Sequence, residues 1–206
     1  MFEGEKELCE RTHANVLKIA KKYNGMAGGS ENGLRGYLLT FLIAYVRDFA
    51  QNYYVAAESF ETSCSWSNVS TLCSRTRQRI IDEAHKEGFS DDKIWISFRV
   101  TQLYETGAAI YVYFALTHRG MEGDIVKKYE IVEDAARDEV MNAGGCISHH
   151  HGVGKIRKQF MTRTLTPMAL DWQKNIKDAI DPNNIFAINN TVARSEEERE
   201  RITRKF

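Results

Sequence analysis

The chain has 206 residues, of which 43% are hydrophobic and 27% charged, the fractions of an ordinary globular protein and not of a disordered one. Its 28 lysines and arginines balance 28 aspartates and glutamates, so no global field draws it to nucleic acid and an anionic ligand must be held by local groups. Cys9, Cys64, Cys73 and Cys146 follow no disulfide or zinc spacing and no secretory signal precedes them, which predicts reduced thiols in an intracellular compartment.

The first predicted element is a helix over Glu5–Tyr23, with Leu8, Val16, Ile19 and Tyr23 near one face and a stop at Asn24-Gly25. A Gly-rich loop over 25–33 leads to a more apolar helix over Leu34–Tyr53. Its longest apolar run, Tyr37 to Val46, is about half the length a bilayer span needs. It reads either as a buried core helix or as the wall of an apolar tunnel for a long acyl chain; periodicity does not separate the two. A strand is expected over Val55–Ser63, carrying Glu58 and Glu61. Ser67 then caps a helix whose stripe of Val69, Leu72, Cys73, Thr76, Ile80 and Ala84 runs to Lys86, with Gly88 ending it.

Two alternating segments, Ile94–Tyr104 and Ala109–Thr117, are joined by Glu105-Thr106-Gly107 and predict a hairpin. One face of it carries Arg99, Tyr111 and Tyr113, for which a cross-strand aromatic ladder is the plain explanation. Asp124 caps a further helix with a stripe of Ile125, Tyr129, Val132, Ala136 and Val140, ending at Asn142-Ala143-Gly144-Gly145. Pro167 opens a last helix through Trp172 and Ile176, and Asp181 to Phe186 form a turn. The organisation expected is residues 1–123, then a segment 124–190, then a charged tail 191–206.

The run Ser148-His149-His150-His151-Gly152-Val153-Gly154-Lys155 concentrates three of the six histidines where a helix has just stopped. Imidazoles with an unperturbed pKa of about 6.5 supply base, acid and donor near neutral pH. Gly152 and Gly154 permit backbone conformations and close approaches that a Cβ would block. Zinc is the rival reading, with Cys146 nearby, but consecutive residues point in different directions on strand or helix, so no metal is expected. A purely structural histidine cluster is the other alternative.

Taken together, Arg35 to Leu39, Tyr45 to Asp48, Glu58 to Ser63, Arg99 to Gln102, Ser148 to Lys155 and Asp181 to Phe186 resemble the alkyldihydroxyacetonephosphate synthase family, in order over about residues 2–190. That family lies within the flavin-dependent superfamily typified by vanillyl-alcohol oxidase. The resemblance implies an α+β fold, an antiparallel sheet with helices packed on it, forming the cap (substrate) domain, plus a helical C-terminal segment carrying the histidines. The family's FAD-binding domain lies N-terminal to the region matched, so it is expected to be missing here, and the isolated chain is expected to be inactive.

The resemblance implies FAD as cofactor, and exchange of the acyl group of acyl-dihydroxyacetone phosphate for a long-chain fatty alcohol in ether-lipid synthesis. It further implies a peroxisomal location, peripheral membrane contact and a homodimer, although Arg204-Lys205-Phe206 does not match Ser-Lys-Leu. The family's catalytic groups fall on His149, His150, His151 and Tyr111, with His150 expected to take the substrate proton. Its active-site arginine falls on Arg47, and Arg99 and Lys155 are further candidates for phosphate or FAD. The competing expectation is a catalytically inactive cap-only module that binds lipid or a partner subunit.

Overall fold

The structure, a computed structural model, describes residues 2–188 and residue 190; the expected tail over 191–206 lies outside the described residues. The chain divides into two compact units, residues 1–49 and 50–206. The first holds helix α1 (Lys6–Lys22) and most of α2 (Gly29–Gln51). α1 has Glu7 in its first turn and Lys21 and Lys22 in its last, each complementing the helix dipole. It stops because Asn24 takes φ 59° and Gly25 N donates to Ala20 O at 2.8 Å, the left-handed closure that asparagine and glycine favour.

α2 starts at Gly29, five residues ahead of the expected Leu34, so part of the predicted glycine loop is its first turn. Glu31 and Arg35 bridge one helical turn at 2.7 Å there. No residue of α2 is buried, so the buried-core reading of Tyr37 to Val46 is not realised. Its apolar residues lie all around the helix and define no single face to bury.

The second unit is built on three antiparallel strands in the order β1-β3-β2, with β1 Val55–Ser65, β2 Ile94–Leu103 and β3 Gly107–Thr117. β1 and β2 both run antiparallel to β3, and α3 (Val69–Lys86) crosses between them, giving a split β-α-β unit with the hairpin strand inserted. The register sets Phe60, Val112 and Phe98 across one face and Glu61, Tyr111 and Arg99 across the other.

The first face makes the core. Phe60, Ile110, Val112, Phe114 and Leu116 pack against Leu72 and Ile80 of α3 and Val132, Ala136 and Val140 of α4 (Ile125–Asn142). The Phe114 and Tyr129 rings stack 4.6 Å apart, and the Tyr129 hydroxyl donates to Phe114 O, so a buried polar tip is satisfied. Asp124 caps α4 as expected, accepting from Lys127 N at 3.1 Å. The predicted Ser67 cap of α3 is not realised: Ser67 lies in a 3-10 turn over Trp66–Asn68, and Asn68 precedes the helix.

Because α4 shares its core with α3 and the sheet, the boundary expected at residue 123 falls inside a compact unit. The short α5 (Met161–Thr164) and α6 (Pro167–Ile180), capped by Thr166, complete the described elements. After α6, Asp181 accepts from Ile185 N and Phe186 N and pairs with Lys177; these donors hold its carboxyl at about 2. The Asp181 to Phe186 turn is therefore stitched by its first residue.

Candidate active site

The histidine run is delivered by a crossing of β1. α4 ends at Asn142, Gly144 just beyond it takes φ 80°, and Gly145 N donates to Val140 O at 2.8 Å. A Cβ on Gly145 would sit 2.7 Å from Leu72 and Val140 side chains and 2.8 Å from Thr62, so any larger residue would force these packed side chains to move. Cys146 N then donates to Ser63 O, and Cys146 O accepts from the Thr62 hydroxyl at 2.7 Å. Thr62 and Glu61 point to opposite faces of β1. Two residues later the chain is bonded to Glu61, so it has passed from the helix-covered face to the other one.

Glu61 is the anchor, and it has no exposed surface. Its carboxylate accepts from His149 N at 2.6 Å, His151 N at 2.9 Å and the Ser148 hydroxyl at 3.0 Å. Burial alone would raise its pKa, but the backbone N–H groups of His151 and His149 and the Ser148 hydroxyl outweigh burial and hold the carboxyl below the usual range. A buried anion thus fixes the histidine loop at two backbone N–H groups and one side-chain hydroxyl. Sequence reasoning placed Glu61 on the strand without a role. An isolated acid in an alternating strand reads as a solvent-facing residue, and only the register opposite Tyr111 gives it another meaning.

Above this anchor the rings are linked. Tyr111 Oη lies 2.8 Å from His150 Nε2 and 2.9 Å from His151 Nε2. His149 Nδ1 lies 2.9 Å from His150 Nδ1, and Tyr104 Oη 2.7 Å from His149 Nε2. Tyr104, like Glu61, was given no role by the sequence. Tyr111 also stacks on Tyr113 at 5.6 Å, so the aromatic ladder and the histidine centre coexist on one residue.

Burial lowers the pKa of His151; Glu61 opposes this, while His150, Arg157 and Arg137 add to it. The Arg137 side chain is nearly fully buried, lies over the Phe60 ring and pairs with Glu133. The pKa of Tyr111 is raised by burial, Tyr113 and Glu61, against Arg99. Neutral imidazole at His151 and neutral phenol at Tyr111 are the forms this environment favours near pH 7.

Of the sequence-predicted residues, His149, His150, His151, Tyr111 and Arg99 come together. The Arg99 guanidinium stands 6.0 Å from the Tyr111 and Tyr113 ring centres. Lys155 is exposed beyond Gly154, and Arg47 belongs to α2 in the first unit, where it is half-buried. Gly152 and Gly154 have φ 77° and 57°, but a Cβ at either would meet nothing within 4 Å. Their value is conformational, and the close approach expected of them belongs to Gly145 instead.

Glu61, His149 and His150 offer ligand atoms within 4.8 Å of one another, a set able to hold a metal ion. Three hydrogen-bond donors already engage the carboxylate, and the two facing Nδ1 atoms are at proton-sharing distance, so a cation would have to compete with those bonds.

Residues 2–189 match the family model described as FAD linked oxidases, C-terminal domain. The chain belongs to that family. FAD is the cofactor of FAD-linked oxidases, and the α+β fold is the one expected. The chain is 43% identical over 192 residues to the alkyldihydroxyacetonephosphate synthase of Caenorhabditis elegans, covering 93% of this chain and 32% of that protein. It is 27% identical to the enzyme of that name from Dictyostelium discoideum, covering 89% and 29%. A solved structure of alkyldihydroxyacetonephosphate synthase superposes with TM-score 0.57 at 21% identity, covering 93% of this chain and 30% of that one. The chain therefore spans about a third of the length of the curated relatives it matches.

The residues present fit the FAD-linked oxidase cofactor on one side. His150 and His151 are exposed above the buried Glu61, where a bound group could reach them.

Proposed function

We propose that this chain is the substrate-side part of an alkyldihydroxyacetonephosphate synthase, replacing the acyl group of acyl-dihydroxyacetone phosphate with a long-chain fatty alcohol. The observation that carries the reading is the hydrogen-bonded Tyr111, His150 and His151 centre on a buried Glu61, within a chain 43% identical to a relative of that name.

Loss of a proton next to a carbonyl needs a base of pKa near the working pH, fixed within reach of the carbon. His150 serves as that base in this reading. With its Nε2 unprotonated, His150 accepts from the Tyr111 hydroxyl while Tyr111 accepts from His151 Nε2–H, and substrate displacing that hydroxyl would expose the His150 lone pair. His151, held neutral, and Tyr111 orient the substrate oxygen. Arg99 and Lys155 supply cations for the phosphate or the flavin. FAD, when bound, would supply an electrophilic ring system for this chemistry. Water must be kept out, because it competes with the alcohol. The apolar run Tyr37 to Val46 suits the walls of a tunnel for the alkyl chain.

The reading extends to ether-lipid synthesis, a peroxisomal location, a homodimer and peripheral contact with a membrane. No helix among the described residues is long and apolar enough to cross one. The linked histidine and tyrosine rings favour an enzyme over a cap-only binding module. The test is to purify the natural protein carrying this chain with its flavin bound, supply acyl-dihydroxyacetone phosphate and hexadecanol, and look for the alkyl ether and free fatty acid. Formation of both, abolished by His150→Ala, is expected. A flavin-loaded protein that forms neither overturns the reading.

A further inference from the structure

The ring hydrogen bonds continue outward past the residues that meet substrate. From Tyr111 the line runs through His150 and His149 to Tyr104, with separations of 2.8, 2.9 and 2.7 Å. Tyr104 is 40% exposed, so its hydroxyl can meet water. Its backbone is held at both polar groups: Tyr104 N donates to Gly107 O at 2.8 Å, and Tyr104 O accepts from the Trp66 indole at 3.0 Å. Its ring stands 5.5 Å from that of His149. A side chain placed this firmly beside a histidine, with an open outer end, is suited to more than surface packing.

A neutral imidazole has one donor and one acceptor, and a phenol one of each. The His149 to His150 bond joins Nδ1 to Nδ1, so one of these nitrogens carries a proton and the other does not. Each ring's second nitrogen then has the opposite role, which fixes the direction of the bonds to Tyr104 and Tyr111. The line therefore has two polarities, and passing one proton along it converts one into the other.

We infer that His149 and Tyr104 form a proton relay from His150 to solvent, a role that rests on His150 acting as the base proposed above. In the outward polarity His150 and His149 point their N–H groups toward Tyr104, and Tyr104 points its O–H to water. The substrate C–H bond breaks, its electron pair stays on the substrate, and the proton bonds to His150 Nε2. The Nδ1 proton of His150 passes to His149 Nδ1, the Nε2 proton of His149 passes to the Tyr104 oxygen, and the Tyr104 proton passes to water. One proton enters and one leaves, and all three residues end neutral with their bonds reversed. The reverse run resets the line.

Tyr104→Phe keeps the ring against His149 and removes only the oxygen. In the 206-residue chain, nitrogen-15 shifts of the imidazoles report which nitrogens carry protons. The expected result is that one and only one of the two facing Nδ1 atoms is protonated, and that Tyr104→Phe alters the shifts of His150, which Tyr104 does not touch, with backbone amides unmoved. Two like nitrogens, or an effect confined to His149, overturns the relay. In the flavin-loaded full-length protein, Tyr104→Phe is expected to slow transfer of substrate hydrogen to deuterated water by about tenfold or more with KM unchanged. An unchanged exchange rate overturns it. A wild-type enzyme with no activity on glycerone phosphates would sink the proposed function instead, and would leave the nitrogen-15 result standing.

Discussion

Glu61 and Tyr111 face each other directly across the β1 to β3 ladder; Glu61 holds the backbone of His149 and His151, and Tyr111 the rings of His150 and His151. One row of one sheet face therefore sets both ends of the loop. Changing either residue is expected to disturb a different property.

Glu61→Gln keeps the volume but offers one carbonyl where two carboxylate oxygens served three donors. Loss of charge-assisted bonds in a buried site is expected to destabilise the chain by about 2–4 kcal/mol, measured by urea unfolding. Stability within about 0.5 kcal/mol of wild type would show that the loop is held by something else.

Tyr111→Phe is the complementary change. The ring can still stack on Tyr113, so thermal unfolding is expected to move little, while both bonds to His150 and His151 vanish. In the flavin-loaded parent enzyme kcat is expected to fall about 100-fold or more, with KM for the alcohol nearly constant. A fall in stability without a fall in kcat would make Tyr111 a structural residue only.

Folding is expected to depend on pH through His151. Its folded pKa lies below the ordinary 6.5 of the unfolded chain, because burial, His150, Arg157 and Arg137 outweigh the attraction of Glu61. Between the two values the unfolded state binds more protons, so stability rises with pH there. It is fully present above about 6.5 and is lost as pH falls through the folded value. Urea midpoints measured from pH 7.5 down to 5 should decline, and His151→Gln should flatten the decline. Direct titration of His151 at or above 6.5 would contradict this.

Gly145→Ala is expected to be costly at a site with no chemistry of its own. The added methyl meets Leu72, Val140 and Thr62 at under 3 Å, and forcing it in should destabilise by about 1–3 kcal/mol and shift the histidine loop. By contrast, Gly152→Ala meets nothing and costs only the strain of φ 77°. If the two changes prove equal in effect, space is not the constraint at Gly145.

The helices α1, α3, α4 and α6 and the hairpin were legible in the sequence because each rests on local signals. Asp124 and Pro167 begin helices, Asn24-Gly25 and Gly144-Gly145 end them, and alternation marks β2 and β3. α2 was misjudged because its apolar residues announce a helix but not what lies against it. Glu61 and Tyr104 escaped notice for a related reason. Their meaning depends on partners 87 to 90 and 45 residues away along the chain, and no spacing rule reaches that far.

The sequence by itself determined that a histidine-rich loop follows a helix, and which residue types it could use, because capping, periodicity and proton affinity are properties of neighbours in the chain. The tertiary structure alone decided that the loop crosses β1 at Gly145, rests on Glu61 and reaches Tyr104. The physical reason is strand register: it sets which side chains share a row, and a one-residue slip would have turned Glu61 to the helix-covered face and left the histidine loop without its buried anion.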